Sequence, residues 1–193
     1  MAPTTTTTTV APQALSGTWL LGSSAVGNVV SQPVLPLAAR SPLNASLPNF
    51  DTDRDSNPGL LIRRGGALAV GDPARMQRFR LAPATPTRID GSASVRLYVA
   101  PAGLLLDAMT VNVALAHCIG PTLDTCTVLA TGSVGFVGLL SQFQAVDVGL
   151  GAVDATIAPP HALEVWVVAD SSSSRDLWLA YDTTSRPSAL TIG

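Results

Sequence analysis

Apolar and polar residues alternate along most of the second half of the chain. Between Ala93 and Val99, Val95, Leu97 and Val99 fall on one side and Ser94, Arg96 and Tyr98 on the other. Met109, Val111, Val113 and Leu115 repeat the pattern in the stretch that ends at His117. A period of two is that of a β-strand with one face buried. Helical spacing is not sustained anywhere. Further strand-like runs cover 77–81, 125–134, 143–150, 163–169, 177–181 and 189–192, separated by Gly, Pro, Asp and Ser clusters. Short strands at this spacing make a sandwich or a barrel, and an all-β, antiparallel β-sandwich of jelly-roll type is the expected form.

The first part of the chain reads differently. Thr4 to Thr9 are all threonine, and prolines recur at Pro12, Pro33, Pro36, Pro42 and Pro48. This predicts a Thr/Pro-rich tail over 1–16 and an extended, wrapping segment over 31–49 that does not sustain regular sheet. Trp19, Leu20 and Leu21 suit one edge strand. The expected organisation is a tail (1–16), an edge strand and wrapping segment with an acidic loop (17–76), and the sandwich (77–193), with 17–193 forming one domain.

Composition narrows the function classes. The 193 residues are 47% hydrophobic and 12% charged, enough to bury a core in one domain and too apolar for disorder along the whole length. The net charge of −2 argues against nucleic acid, which calls for a clustered basic face, and Arg63-Arg64 is the single basic pair. No run approaches the roughly 20 apolar residues that span a bilayer. The N-terminus does not read as an intact secretory signal, since no basic side chain precedes Arg40 and threonines stand where the apolar segment belongs.

Two short motifs carry candidate chemistry. In Asp51-Thr52-Asp53-Arg54-Asp55-Ser56-Asn57, carboxylates and an amide alternate as oxygen ligands of a hard cation do. Calcium is the expected ion, with Asp51, Asp53, Asp55 and Asn57 as ligands and Asp182 as a distant fifth. The loop is not an EF-hand, because Ser56 replaces the turn glycine and Ile62 the bidentate glutamate. A solvated turn is the competing reading. Cys118 and Cys126 flank a Gly-Pro turn between two strand runs, which places the sulfurs across a hairpin. A disulfide there favours an oxidising compartment; free buried thiols or a metal pair are the alternatives.

Catalytic inventory is thin. Thr131-Gly132-Ser133-Val134-Gly135 misses the nucleophile elbow by one position. His117 falls on a strand's buried face and His161 follows Pro159-Pro160 in a turn, so both read as structural. Glu164 is the sole glutamate, and nothing marks a partner carboxylate for glycoside hydrolysis. The aromatic residues offer more. Trp166 falls opposite Leu163, Val165 and Val167, and Trp178 opposite Leu177 and Leu179. If the aliphatic faces point inward, these tryptophans, with Tyr98, form an outward ligand platform; the competing reading is a second layer of core.

Three segments carry a resemblance: FDTDRDSNPGLLI, then IDGSASVRLYV, then HALEVWVVADSSSSRDLWLAYDTTSRPSAL. Together they resemble an uncharacterised β-sandwich module of secreted and surface proteins of GC-rich bacteria. The second half is similar to the galactose-binding-like jelly rolls appended to hydrolases. The likeness runs from Phe50 to Ile192 and implies a structural calcium where the first and last strands meet, at Asp51, Asp53, Asp55 and Asp182. It implies no catalytic residue. The expected function is a non-catalytic structural or adhesive subunit of an extracellular assembly, on a cell or virion surface, that self-associates through Thr4 to Val10 docking on a neighbouring copy. The alternative is a carbohydrate-binding module that takes a polysaccharide.

Overall fold

The alternation centred on Val95, Leu97 and Val99 runs further than those residues predict, as one strand from Thr87 to Pro101. The protein is seen here as a computed structural model that describes residues 11–21, 34–39, 60–66, 68, 75–103, 105–120, 122–139, 142–181 and 186–193, with backbone alone at 34–39 and 60. Twelve strands are found among these residues. They are β1 (Gln13–Ala14), β2 (Gly17–Leu21), β3 (Val34–Ala39), β4 (Leu60–Ile62), β5 (Met76–Leu81) and β6 (Thr87–Pro101). After them come β7 (Leu106–Cys118), β8 (Cys126–Leu139), β9 (Gln144–Ile157), β10 (Ala162–Ala169), β11 (Leu177–Ala180) and β12 (Ala189–Ile192).

The strands form an all-β sandwich. Sheet A is organised on β6, which pairs along nearly its whole length with β9. The other side of β6 is shared by β1, β12 and β11 in succession. β12 continues to β2, and β11 to β4. Sheet B has the order β5-β10-β7-β8. Between β5 and β10 the chain alternates between sheets, as in a jelly roll, with only β7 and β8 joined as a hairpin within one sheet. Pairing is antiparallel except for β1 with β6 and β3 with β5.

The proline-rich segment departs from expectation. β3 lies inside the stretch expected to exclude regular sheet, yet it joins the two sheets, pairing with β2 through 37–39 and with β5 through 34–36. Among the described residues each half of β3 is paired on one side only, an edge-like position of the kind that accommodates a proline. The tail is also shorter than expected. Gln13 N donates to Pro86 O at 2.8 Å, Leu15 N donates to Arg88 O at 2.7 Å, and Leu15 is buried in the core.

The principal core fills the space between the sheets. Val95, Leu97 and Val99 of β6 meet Val111, Val113 and Leu115 of β7 and Leu163, Val165 and Val167 of β10, all fully buried. Each such side chain contributes about 1.5–3 kcal/mol relative to exposure. Phe79 and Tyr181 close one end edge to face, with centroids 5.6 Å apart.

A second, smaller core lies on the outer face of sheet B, where Met76, Ala114, Ala116, Cys118, Trp166 and Val168 pack with Leu68 and Leu123. It corrects the platform expectation. Trp166 does point away from the principal core, but this layer covers it to 3% exposure. Trp178 is 4% exposed, enclosed on a strand flanked by both β4 and β6. Alternation gives the direction of a side chain and not what lies above it. Of the three proposed platform residues, Tyr98 alone keeps a half-buried ring.

Candidate ligand-binding groove

The outward residues of β6 lie in register with those of three neighbouring strands. One row across β9, β6, β12 and β2 reads Asp147, Arg96, Ala189, Leu20, and the next reads Gly149, Ser94, Thr191, Thr18. Side chains directly opposite each other on a sheet face are within contact distance. All of these but Gly149, with Tyr98 and Pro187, line a groove of about 520 Å³ on the outer face of sheet A.

The chemistry of this groove is polar over an apolar floor. Arg96 donates to Asp147 in a two-pronged pair, Nε to Oδ1 and Nη2 to Oδ2, both at 2.8 Å. That hydrogen bond holds Asp147 below the usual carboxylate range and raises the Arg96 guanidinium. The pair is therefore charged throughout the ordinary pH range. Thr18 and Thr191 hydroxyls sit 3.5 Å apart beside it. Ser188 Oγ accepts from Tyr98 N at 2.9 Å and donates to Ala180 O, which fixes the backbone beneath the tyrosine ring. Donors, acceptors, a charged fork and one aromatic face in a shallow trough suit a ligand rich in hydroxyl groups.

The other candidate residues lie outside this groove. Glu164 is fully buried and accepts four hydrogen bonds, from Arg78 Nε (2.7 Å) and Nη2 (2.8 Å), Arg80 Nη1 (3.2 Å) and Trp166 Nε1 (2.7 Å). Arg80 Nη2 also reaches Gly120 O at 3.1 Å, tying the cluster to the turn that the disulfide closes. Cys118 and Cys126 are bonded to each other and face one another in the β7–β8 register. Their sulfurs and a Glu164 oxygen fall within 4.8 Å of one another. Bridged sulfurs offer no thiolate and the carboxylate is fully engaged, so this trio holds the outer core rather than an ion.

His117 Nε2 and His161 Nδ1 lie 3.0 Å apart, a contact between the end of β7 and the turn before β10 that the sequence did not signal. Burial, and secondarily the neighbouring His161, pushes His117 below the usual histidine range. Ser133 sits exposed in mid-strand, paired with Asn112, and not on a sharp turn that would project a nucleophile. The acidic-loop residues Asp51, Asp53, Asp55 and Asn57, their distant companion Asp182, and the tail Thr4 to Val10 lie outside the described residues.

No family model and no curated protein sequence matches the chain. Solved structures share its fold at low identity. A CocE/NonD family hydrolase from Staphylococcus aureus matches with a TM-score of 0.50 and 10% identity, over 73% of this chain and 38% of the hydrolase. An aminopeptidase from a marine sediment Thaumarchaeota archaeon gives 0.53 and 12%, over 94% of this chain and 33% of its own. An α-amino acid ester hydrolase gives 0.54 and 15%, over 95% and 38%. The chain spans little more than a third of the length of these proteins, in which this fold is one part of a longer polypeptide.

Proposed function

We propose that this chain is a non-catalytic adhesive subunit of an extracellular assembly, and that it adheres through the groove on sheet A to a neutral, hydroxyl-rich polymer such as a polysaccharide. The observation that carries this reading is the cross-strand set of Arg96, Asp147, Ser94, Thr18 and Thr191 around the tyrosine ring. A guanidinium–carboxylate fork matches vicinal hydroxyls, and the ring supplies an apolar face for a sugar's C–H surface. The disulfide suits an oxidising compartment. The histidines, Ser133 and Glu164 do not compose a nucleophile, base and orienting acid.

A structural role within the assembly is favoured by a separate observation. Among the described residues, the strongly exposed large apolar side chains gather on and beside β7 and β8.

Affinity electrophoresis through gels containing a β-glucan, an α-glucan or a galactan tests the adhesive reading. At least one should retard the native protein, and Tyr98→Ala should weaken that interaction about tenfold, equivalent to about 1.4 kcal/mol. Equal mobility in every gel and in its absence would reject it.

A further inference from the structure

β8 is an unusual edge strand. It ends the order of sheet B, is 14 residues long, and among the described residues is hydrogen-bonded within the sheet to β7 alone. Its sequence, CTVLATGSVGFVGL, contains no charged residue and no proline. Natural edge strands are ordinarily blunted by one or the other, because an open row of N–H and C=O groups templates another strand. Exposed apolar residues gather on the same hairpin: Leu105 69%, Leu106 69%, Ile119 61%, Val128 40%, Val137 61% and Leu139 45%. Leu106 and Leu139 are cross-strand partners.

Among the described residues, the rest of the sandwich does not cover this edge. β9 meets β8 through the inward side of Gly132, where a Cβ would strike Gly149 O and Val148. Gly138 likewise faces inward, against Pro101 of β6. Two edge groups near the end of β8 are already occupied: Gln144 Nε2 donates to Val137 O at 3.0 Å and Gln142 N to Leu139 O at 2.9 Å. The first of these bonds shows which groups face the edge. The Val137 carbonyl points away from β7, and because direction alternates along a strand, the N–H and C=O groups of Thr131, Ser133 and Gly135 point to the open edge too. Thr131 and Ser133 also place exposed side chains on the outer face, where Gly135 is exposed as well.

We propose that this edge is an interface with a second copy of the chain, the two β8 strands pairing antiparallel about a two-fold axis at Ser133. In that register Ser133 faces its own symmetry mate and Thr131 faces Gly135 of the other copy, twice. The outer faces of both copies stay on one side, as the pleat requires. Small and polar residues meet at the axis, while Val128 and Leu129 of one copy lie beside Val137 and Gly138 of the other. Self-pairing is favoured over a foreign strand because β8 carries no charge for an unlike partner to read, and its apolar ends complement each other under two-fold rotation. This interface goes beyond the groove reading and uses none of its residues.

Sedimentation velocity over an about hundredfold range of concentration tests it on the full chain, alongside Ser133→Cys and Ser133→Lys. Antiparallel partners that exchange both bonds lie about 5.5 Å apart at Cα, within disulfide reach. Both native cysteines are already bridged, so the added thiol is the single reactive one. The native chain should dimerise with concentration. Ser133→Cys should yield a reducible covalent dimer, and Ser133→Lys should be monomeric with an unchanged far-ultraviolet spectrum. A native chain that stays monomeric, a dimer that persists in folded Ser133→Lys, or a dimer that Ser133→Cys does not crosslink would each overturn the proposal. Should Ser133→Lys fail to fold, the crosslinking result decides alone. Loss of polysaccharide binding with the dimer intact would reject the groove and leave this interface standing.

Discussion

At the residue scale, Glu164 is the most committed side chain of the molecule. It is fully buried between guanidiniums whose side chains are 12% and 23% exposed, with an indole N–H as its further donor. Burying charge is costly unless every partner is present, so removing one partner costs far more than the whole cluster contributes. Glu164→Gln keeps the shape and removes the charge that Arg78 and Arg80 face. We expect a loss of about 3 kcal/mol, and a melting temperature lowered by roughly 6–12 °C at this chain length. A shift under about 2 °C in differential scanning calorimetry would show that the cluster tolerates the loss. Nothing in the sequence singled out this role, because a lone glutamate in an apolar strand has no local signature. Arg78 and Arg80 come to it only through the β5–β10 register.

The His117–His161 contact gives a pH dependence of definite sign. Burial and the second imidazole lower the folded-state pKa of His117 from its ordinary 6.5. The unfolded chain therefore takes up the proton at higher pH than the folded chain, and stability falls as pH drops from about 6.5 through the folded value. Urea unfolding at pH 7.5 and pH 5 should show the lower midpoint at pH 5, and the difference should shrink in His117→Gln. An equal difference in the variant would assign the effect elsewhere. Asp147 and Asp170, both lowered by hydrogen bonds, act in a separate window below about 3.8, where their protonation removes stability.

At the scale of elements, period-two alternation located the eight principal strands, although β6, β8 and β9 extend well beyond their apolar centres. Those extensions carry Gly, Ser and Asp, residues that strand propensity disfavours or leaves neutral and that long pairing retains. β3 was misjudged because proline is excluded from a strand paired on both sides, and here each half is paired on one side only among the described residues. The disulfide was legible, since turn residues between two strand runs fix a hairpin and its register faces the cysteines. The acidic loop is also an element-scale prediction. If Asp51, Asp53 and Asp55 hold calcium, the ion favours the folded state and the melting temperature rises with its concentration. Calorimetry in excess calcium and in excess chelator measures this, and equal midpoints would rule the ion out.

At the scale of the whole molecule, the two sheets present different faces. Sheet A displays a polar groove that four strands build together, and sheet B displays a covered outer core with an apolar hairpin at its edge. Adhesion by one and self-pairing by the other are compatible, since they share no residue. A subunit that binds a polymer on one face and a second copy along an edge would gain avidity from pairing, because the second contact becomes intramolecular.

The sequence by itself determined the all-β class, the inward direction of the alternating apolar residues and the hairpin that the disulfide closes. These follow from local periodicity and turn chemistry, which neighbouring residues suffice to express. Tertiary structure alone decided which outward residues meet solvent. Trp166 and Tyr98 both point away from the principal core, yet the outer layer buries one and leaves the other beside a groove. It also decided which distant residues become neighbours: Asp147 with Arg96, Glu164 with Arg78 and Arg80, and His117 with His161. Strand order and register set those meetings, and register depends on how whole faces pack rather than on any one strand's composition.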